Sequence, residues 1–209
     1  MFNNLTDKEI DATNKLLQFG LSKAAKAFQG ILGTEASLKS IDSELTRISD
    51  VPQYCTKMDS KTHLLKTELV GDLKGFCHLI FTENEVQKVQ NAGLPEEVLL
   101  NNNPETRLMK LEFLTEIDNM VAGSVITQLA NFLDLEVYGN VPSLHVMQAN
   151  EVNKYIQAES VVYNSKVEFR ATFSVPHLGV SPEFVWLLQE NFIDKVKANA
   201  EQVLAKELI

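Results

Sequence analysis

Apolar residues recur with helical spacing in two long segments of the chain. The first segment starts at Thr6 and Glu9, which have the spacing of a capping box, and stops at Gly33. The second starts at Asn103 and Pro104, a capping side chain followed by a proline in the first turn, and ends at Asp134. The pattern therefore predicts two long amphipathic helices. Their apolar stripes contain Leu17, Leu21, Phe28 and Leu32 in the first, and Leu114, Val121, Val125 and Phe132 in the second.

The remaining segments have the shorter periods typical of strands and short helices. Residues 64–70 and 73–82, joined by Gly71 and Asp72, predict a β-hairpin. A second predicted hairpin joins residues 161–163 and 166–175 through Asn164 and Ser165. Short helices are expected at 83–91 and 150–157, a strand at 182–188 and a terminal helix at 191–208. This order predicts an α+β fold with the helices packed on one mixed or antiparallel sheet.

The two long helical patterns also match each other. Shifting the chain by about 100 residues places 11–32 on 112–133, so that Leu16 falls on Ile117 and Phe28 on Leu129. Few residues are identical, and any two amphipathic helices align in this way, so the periodicity alone is weak. We expect one domain over residues 1–209, built of pseudo-symmetric halves at about 5–100 and 104–190 and a terminal helix at about 191–208.

Composition narrows the class of protein. The chain has 209 residues, 44% of them hydrophobic and 22% charged, as in soluble globular proteins. No apolar run approaches the roughly 20 residues that a membrane span needs, and we see no signal peptide, so we expect a cytoplasmic protein. The 28 acidic and 19 basic residues give a net charge of −9, which argues against nucleic-acid binding. Cys55 and Cys77 are expected to be reduced thiols.

One polar row on the second long helix is a candidate for chemistry. Glu112, Glu116, Asn119 and Gly123 stand at i, i+4, i+7 and i+11, within roughly 60° of one another on a helix. An amide side chain can orient a water molecule, and a carboxylate can pair with a partner's cation. Asp118 points elsewhere. The alternative is that this row is only the solvated face of an amphipathic helix.

A wider frame surrounds Glu116 and Asn119. They form Glu-x-x-Asn, Pro142 follows after 22 further residues, and Ala-Gly-Ser ends at Ser124. This pattern resembles that of the CheC/CheX/FliY family of chemotaxis phosphatases, as do residues 5–13 and the Gly-Asp-Leu-Lys-Gly run at 71–75. The resemblance extends from about residue 5 to residue 190 and accounts for the two halves.

The resemblance implies hydrolysis of the aspartyl phosphate of a CheY-like response regulator. Asn119 would enter the regulator's pocket and position the attacking water, and Glu116 would pair with the regulator's cationic group. The regulator would supply the Mg²⁺ and a lysine, so the protein would need no metal or other cofactor of its own. Pro142 would shape the loop after the helix. Apart from the family pattern, we infer from its place on the same helix face that Gly123 would leave room for close approach.

Departures from the family pattern distinguish the two halves. In the first half the site positions are Asp11, Lys15 and Gln18, with Ile41 in place of the proline. Lys15 reverses the charge at the glutamate position, so we predict an inactive first site. In the second half Glu112 replaces the family's Asp or Ser, and the effect of this longer acid on docking is open.

Two alternatives remain from the sequence. The protein could be a catalytically silent family member that binds a response regulator or a flagellar switch component, or an unrelated α+β scaffold. The family resemblance leaves a CheD-like deamidase and a homodimer open as further partners. The four histidines are scattered without metal-ligand spacing. Phe184, Trp186 and Leu187 are most simply core or edge-strand residues, with a dimer contact there as the other reading.

Overall fold

A computed structural model describes residues 5–42, 61–162 and 167–206 of the chain. Cys55 lies outside this part, as do residues 163–166 of the predicted second hairpin. The elements are α1 (Asp7–Leu32), β1 (Ser37–Asp42), β2 (Lys61–Gly71), β3 (Gly75–Thr82), α2 (Glu83–Gly93), α3 (Glu96–Leu100), α4 (Pro104–Leu133), β4 (Val137–Gly139), β5 (Ser143–Gln148), α5 (Ala149–Val162), β6 (Val167–Ser174), a 3₁₀ turn (Pro176–Leu178), β7 (Glu183–Leu188) and α6 (Asn191–Ala205).

The strands form one antiparallel sheet in the order β1-β6-β7-β3-β2-β4, with β5 paired to β2 beside β4. If each strand is replaced by its counterpart in the other half and the order is then read backwards, the same strand order results. The last strands of the two halves, β3 and β7, pair at the centre. On either side of them, β1 of the first half pairs with β6 of the second, and β4 of the second half pairs with β2 of the first. Together with the matching helices α1 and α4, this confirms the predicted α+β fold of two pseudo-symmetric halves on a shared sheet.

The sheet is covered on both faces because side chains alternate along its strands. Leu65 of β2 belongs to the large core beneath α1, α2, α4 and α6, whereas its neighbour Leu64 faces α5. On that second face Val152 and Ile156 of α5 close a smaller core over Ile80, Val185 and Leu187. The two central strands, β3 and β7, are buried on both sides and therefore read as nearly continuous apolar runs.

Helices α1 and α4 lie side by side and antiparallel on the large core. Phe19 packs edge-on against Phe132, with ring centroids 5.1 Å apart. One turn later in α1, Lys23 faces residues 119–128, which precede Phe132 in α4. Phe28 is 1% exposed and contacts the rings of Phe81 and Phe173, so α1 reaches strands from both halves.

The predicted helix ends and the first hairpin are confirmed. Thr6 and Glu9 form the capping box of α1, and Gly33 ends the helix at φ 61°. In the hairpin, Leu73 lies in the turn instead of a strand and is fully buried. Gly71 has φ 112°, and a Cβ there would lie 2.0 Å from the Glu136 carbonyl oxygen, so the position requires glycine.

The second predicted hairpin is wrong where it can be compared. Val161 and Val162 form the last turn of α5, which is longer than the predicted helix at 150–157, and both side chains are exposed. β-Branched residues favour strands only where a pleated surface accepts them, and these two have no such surface. Strand β6 begins at Val167, as expected to within one residue.

Other differences are small or concern short elements. Strands β1, β4 and β5 and the five-residue helix α3 were not predicted. Phe184, Trp186 and Leu187 lie on the central strand β7 and are at most 1% exposed, so they belong to the core and offer no surface for a dimer. None of the helices in the described ranges is long and apolar enough to cross a membrane.

Candidate functional site

The outer face of α4 carries the polar row found in the sequence. The helix begins where the Asn103 side chain accepts a hydrogen bond from the Thr106 amide at 2.8 Å, and Pro104 occupies its first turn. The opposite stripe, with Leu114, Ile117 and Val121 fully buried, packs on the sheet. This burial fixes which residues face outward.

The structure brings the row together as the sequence predicts. Glu112, Glu116 and Asn119 are exposed, and Gly123 is half-buried at the end of the row. A Cβ at Gly123 would meet no atom within 4 Å, so packing within the described chain does not require glycine there. Pro142 lies in the loop between β4 and β5, which follows α4 in the chain after β4.

An open groove separates α4 from α1 beside this row. Asn119, Met120, Gly123 and Thr127 line one wall, and Lys23 of α1 lies on the other. The Lys23 ammonium is 5.1 Å from the centre of the Phe19 ring. Asn119 therefore stands at the rim of a concave surface that a side chain from a partner could enter, while Glu116 and Glu112 continue the row along the helix.

Exposed apolar side chains border the two acids. Leu108 and Met109 are 55% and 40% exposed and lie one turn before Glu112, and Met120 is 40% exposed one turn after Glu116. A purely solvated helix face would be polar here. These three side chains add apolar surface beside the two acids.

Asp118 lies between the site residues in sequence but points into the protein. It is fully buried, and its Oδ2 accepts a hydrogen bond from Thr67 Oγ1 on β2 at 2.7 Å. Its Oδ1 atom has no hydrogen-bond partner among the described residues. Burial raises the pKa of Asp118 to about 7, although the Thr67 hydroxyl acts in the opposite direction. The sequence placed Asp118 off the polar row, and this is confirmed, but its burial was missed.

Comparison with known proteins shows the fold. No known protein-family model matches the sequence. The structure is similar to FliY of Thermotoga maritima, with 16% identity, a TM-score of 0.65, and coverage of 96% of this chain and 99% of that chain. It is also similar to a chain of the CheX–CheY–BeF₃–Mg²⁺ complex from Borrelia burgdorferi, with 16% identity, a TM-score of 0.55, and coverage of 87% and 99%.

This is the fold of the CheC/CheX/FliY family. A chain of the FliG–FliM complex from H. pylori is similar as well, with 10% identity, a TM-score of 0.56, and coverage of 91% of this chain and all of that chain. The CheC/CheX/FliY fold is therefore shared with a protein of a different assembly, so the side chains on α4 must carry any argument about activity.

The corresponding face of α1 differs from that of α4. Asp11 and Gln18 are exposed, but the Lys15 ammonium donates hydrogen bonds to the carbonyl oxygens of Leu204 and Lys206, at 2.8 and 2.7 Å. Lys15 thus caps the C-terminal end of α6, where a cation is favoured. Ile41, at the position of the family's proline, lies in β1.

Helix α6 reaches Lys15 because it is one turn longer than its counterpart. In the CheC/CheX/FliY fold of this chain, α2 follows β3 as α6 follows β7, but α2 has 11 residues and α6 has 15. Lys206, just beyond α6, donates to the carbonyl oxygens of Asn131 and Phe132 at the end of α4. The end of α6 is therefore bonded to both long helices, next to the first-half position.

A polar cluster that the sequence did not reveal lies on the other face of the sheet. Glu159 of α5 accepts hydrogen bonds from Lys66 and from the Tyr155 hydroxyl, and its Oε2 lies 3.0 Å from His78 Nε2. Burial acts to raise the pKa of Glu159, but the bonds from His78 and Lys66 outweigh it and hold that pKa below its usual value. The cluster ties α5 to the sheet and is remote from α4.

No group of three or more metal-ligating side chains occurs within residues 5–42, 61–162 and 167–206. Cys77 is a buried thiol opposite Thr67, and burial together with Asp118 raises its pKa.

Removing the charge of Asp118 should alter how stability depends on pH. Because its pKa is higher in the folded state than in the unfolded state, folding takes up a proton between about pH 4 and pH 7, and this residue lowers stability as the pH rises through that window. We expect Asp118→Asn to gain free energy of unfolding relative to the wild type from pH 5 to pH 8, by up to a few kcal/mol.

Urea denaturation at several pH values measures this difference. Asp11→Asn, which removes a negative charge from the exposed face of α1, corrects for the general effect of one charge. A constant difference between Asp118→Asn and the wild type from pH 5 to pH 8 would contradict the assignment of a raised pKa.

Replacing Lys15 should destabilise the protein. Lys15→Met removes two charged hydrogen bonds from the end of α6, and we expect a loss of about 1–2 kcal/mol in the free energy of unfolding. Lys26→Met changes an exposed lysine on the same helix and serves as the matched control. Equal effects of the two substitutions in urea denaturation would show that the cap on α6 contributes nothing.

Proposed function

We propose that the protein hydrolyses the aspartyl phosphate of a CheY-like response regulator. The observation that carries the proposal is the joint exposure of Glu116 and Asn119 on the outer face of α4, in a chain with the CheC/CheX/FliY fold. The CheX–CheY complex supports a CheY-like partner for a protein of this fold.

Asn119 is proposed to position the attacking water. Its amide oxygen accepts a hydrogen bond from the water, and its amide nitrogen donates one to a phosphoryl oxygen, so that a single rigid group aligns both. Phosphoryl transfer needs little covalent help from the protein and depends on alignment of the nucleophile with phosphorus. Asn119 suits this role because it is exposed at the rim of the groove and its side chain forms no hydrogen bond with the described residues.

Glu116 is proposed to dock the regulator. Its carboxylate lies on the same side of α4 one turn before Asn119, where it can pair with the lysine beside the regulator's phosphorylation site. Mg²⁺ would remain with the regulator, whose acidic residues hold it, and this protein would contribute no ligand. Glu112 and the exposed Leu108, Met109 and Met120 extend the contact along the helix.

The geometry supports one working site in each chain. Lys15, at the position that corresponds to Glu116, is bonded to the end of α6 and carries the wrong charge for a regulator's lysine. A regulator that approached α1 in the same way would meet the last turn of α6. We therefore expect one regulator to bind per chain, on α4.

The second candidate function is binding without hydrolysis. Two observations favour it: the same fold occurs in the FliG–FliM complex, and Glu112 replaces the shorter Asp or Ser expected of an active site. A silent protein of this kind would bind a response regulator or a component of the flagellar switch through the same face of α4.

Replacing Asn119 distinguishes the two candidates. If Asn119 positions water, Asn119→Ala should return the decay of a phosphorylated CheY-like regulator to its unassisted rate, a loss of about 100-fold or more in the added rate. The measurement is the loss of phosphate from the regulator with and without the protein. Asn131→Ala, which removes an exposed asparagine from the last turn of the same helix, should leave the rate unchanged.

The outcomes separate clearly. Equal decay with the wild type and with Asn119→Ala, both faster than the regulator alone, would show that another residue positions the water. A wild-type protein that binds the regulator without accelerating decay would favour the silent candidate. Glu116→Lys, which reverses the docking charge, should abolish binding under either candidate.

Gly123→Ala tests whether a partner approaches α4 closely. Alanine is favoured over glycine within a helix by up to about 1 kcal/mol, and a Cβ at this position meets nothing in the protein, so the variant should be more stable. A partner packed against the backbone at Gly123 would clash with the new methyl group. We expect at least tenfold weaker binding of the regulator despite the gain in stability.

Gly30→Ala is the matched control, because Gly30 lies in α1 and a Cβ there also meets nothing within 4 Å. It should not weaken binding. Unchanged affinity of Gly123→Ala, measured by titration calorimetry, would mean that the partner does not approach this part of the helix.

A further inference from the structure

The turn of α4 that presents the site also buries one carboxylate. Asp118 lies about 100° around the helix from Asn119 and about 200° from Glu116, so it points inward while they point outward. It is bonded to Thr67 at 2.7 Å and is fully buried. Its second oxygen, Oδ1, has no hydrogen-bond partner among the described residues.

Thr67 is a firmly held anchor for this bond. It lies on β2, which pairs with β3 on one side and with β4 on the other. It is directly opposite Cys77 of β3. A Cβ at Gly139 of β4 would come within 2.7 Å of Thr67 Cγ2 and 3.1 Å of Ile126 Cδ1. The backbone of β4 at Gly139 thus packs closely against the threonine methyl group.

A buried carboxylate with an unpaired oxygen lowers stability. The raised pKa shows that the charged form is disfavoured in the fold, and an apolar side chain of similar size would pack there at lower cost. The neighbouring inward residues, Leu114, Ile117 and Val121, are all apolar and already hold α4 on the sheet. Attachment of the helix therefore does not explain the acid.

A hydrogen bond provides what the apolar contacts lack, which is direction. Apolar packing is non-directional and tolerates small rotations of a helix about its axis. A rotation of about 10° moves side-chain ends on the outer face by about 1 Å. Misplacement of about 1 Å in a site that works by alignment can reduce the rate about 100-fold.

We propose that the hydrogen bond between Asp118 and Thr67 fixes the rotation of α4 about its axis, which makes Asp118 a positioning residue for Asn119 and Glu116. The proposal rests on the proposed function for its effect on rate. Its effect on the position of Asn119 can be measured in the free protein, so the effect on rate and the effect on geometry can be tested separately.

The test compares variants that remove the bond with variants that keep it. Thr67→Val is nearly isosteric and removes the hydroxyl, and Asp118→Leu removes the carboxylate. Thr67→Ser and Asp118→Asn keep a donor or an acceptor at the same place. We expect the first pair to lower kcat for regulator dephosphorylation at least tenfold with KM changed less than threefold, and the second pair to stay within about twofold of the wild type.

Stability separates positioning from a structural role. If the bond only supports the fold, kcat of each variant should follow its free energy of unfolding. We expect the opposite for Asp118→Leu, which should be at least as stable as the wild type and yet slower. Thr67→Val leaves the buried Asp118 carboxyl without its donor and should be less stable, but the folded variant should still be slower than the wild type. Wild-type kcat in a folded Thr67→Val would overturn the proposal, and this variant decides the matter if Asp118→Leu fails to fold.

The position of Asn119 can be measured directly in the free protein by nuclear magnetic resonance. In ¹⁵N-labelled protein, the side-chain amide signal of Asn119 should shift in Thr67→Val and keep its wild-type position in Thr67→Ser. If the wild type does not accelerate phosphate loss, the proposed function fails and the Asn119 signal alone decides the positioning. An Asn119 signal that is identical in Thr67→Val and the wild type would overturn it.

Discussion

The packing of one stripe of α4 on the sheet is the constraint on which the rest of the site depends. Leu114, Ile117 and Val121 are completely withdrawn from water, and at about 25 cal/mol per Å² such side chains each favour the buried orientation by roughly 1.5–3 kcal/mol. Because the residues of a helix are rigidly spaced, burying this stripe fixes the opposite stripe in solvent. Glu116 and Asn119 face outward as a consequence of what faces inward.

The outer faces of the two long helices differ between the halves. Helices α1 and α4 occupy equivalent places on a palindromic sheet, and each buries an apolar stripe. On α1, however, Lys15 at the outer position donates a hydrogen bond to the end of α6, which is one turn longer than α2. A lysine there stabilises the end of a helix, and its charge is opposite to that of Glu116 at the equivalent position of α4. The residue at the first-half position thus serves to attach the terminal helix.

The sequence predicted those features that depend on local chemistry. Thr6 with Glu9 and Asn103 with Pro104 mark helix starts through bonds to neighbouring residues, so the long helices were placed correctly. Strands β4 and β5 are short and partly exposed, so their few apolar residues give no clear period, and only pairing with β2 makes them strands. Val161 and Val162 favoured a strand by propensity, but the helix over the second core continued through them.

In the candidate site, too, the sequence predicted the features that depend on neighbouring residues and missed those that depend on distant ones. The exposed row was visible because helical spacing alone brings Glu112, Glu116 and Asn119 to one face. The burial of Asp118 depends on Thr67, 51 positions earlier, and the cluster around Glu159 joins residues as far apart as Lys66, 93 positions away. No local pattern reports such contacts, although an acid among apolar residues four positions after Leu114 was a signal that it lay on the buried side.

The fold by itself does not determine what the protein does, because chains of a CheX–CheY complex and of a FliG–FliM complex share it. On the outer surface of the long helices, substitutions cost little stability. An exposed asparagine contributes almost nothing to folding, and neither does an exposed glutamate beside it. A fully buried aspartate one residue away does affect folding, and unfavourably. The polar groups of α4 are therefore not explained by the stability of the helix that carries them.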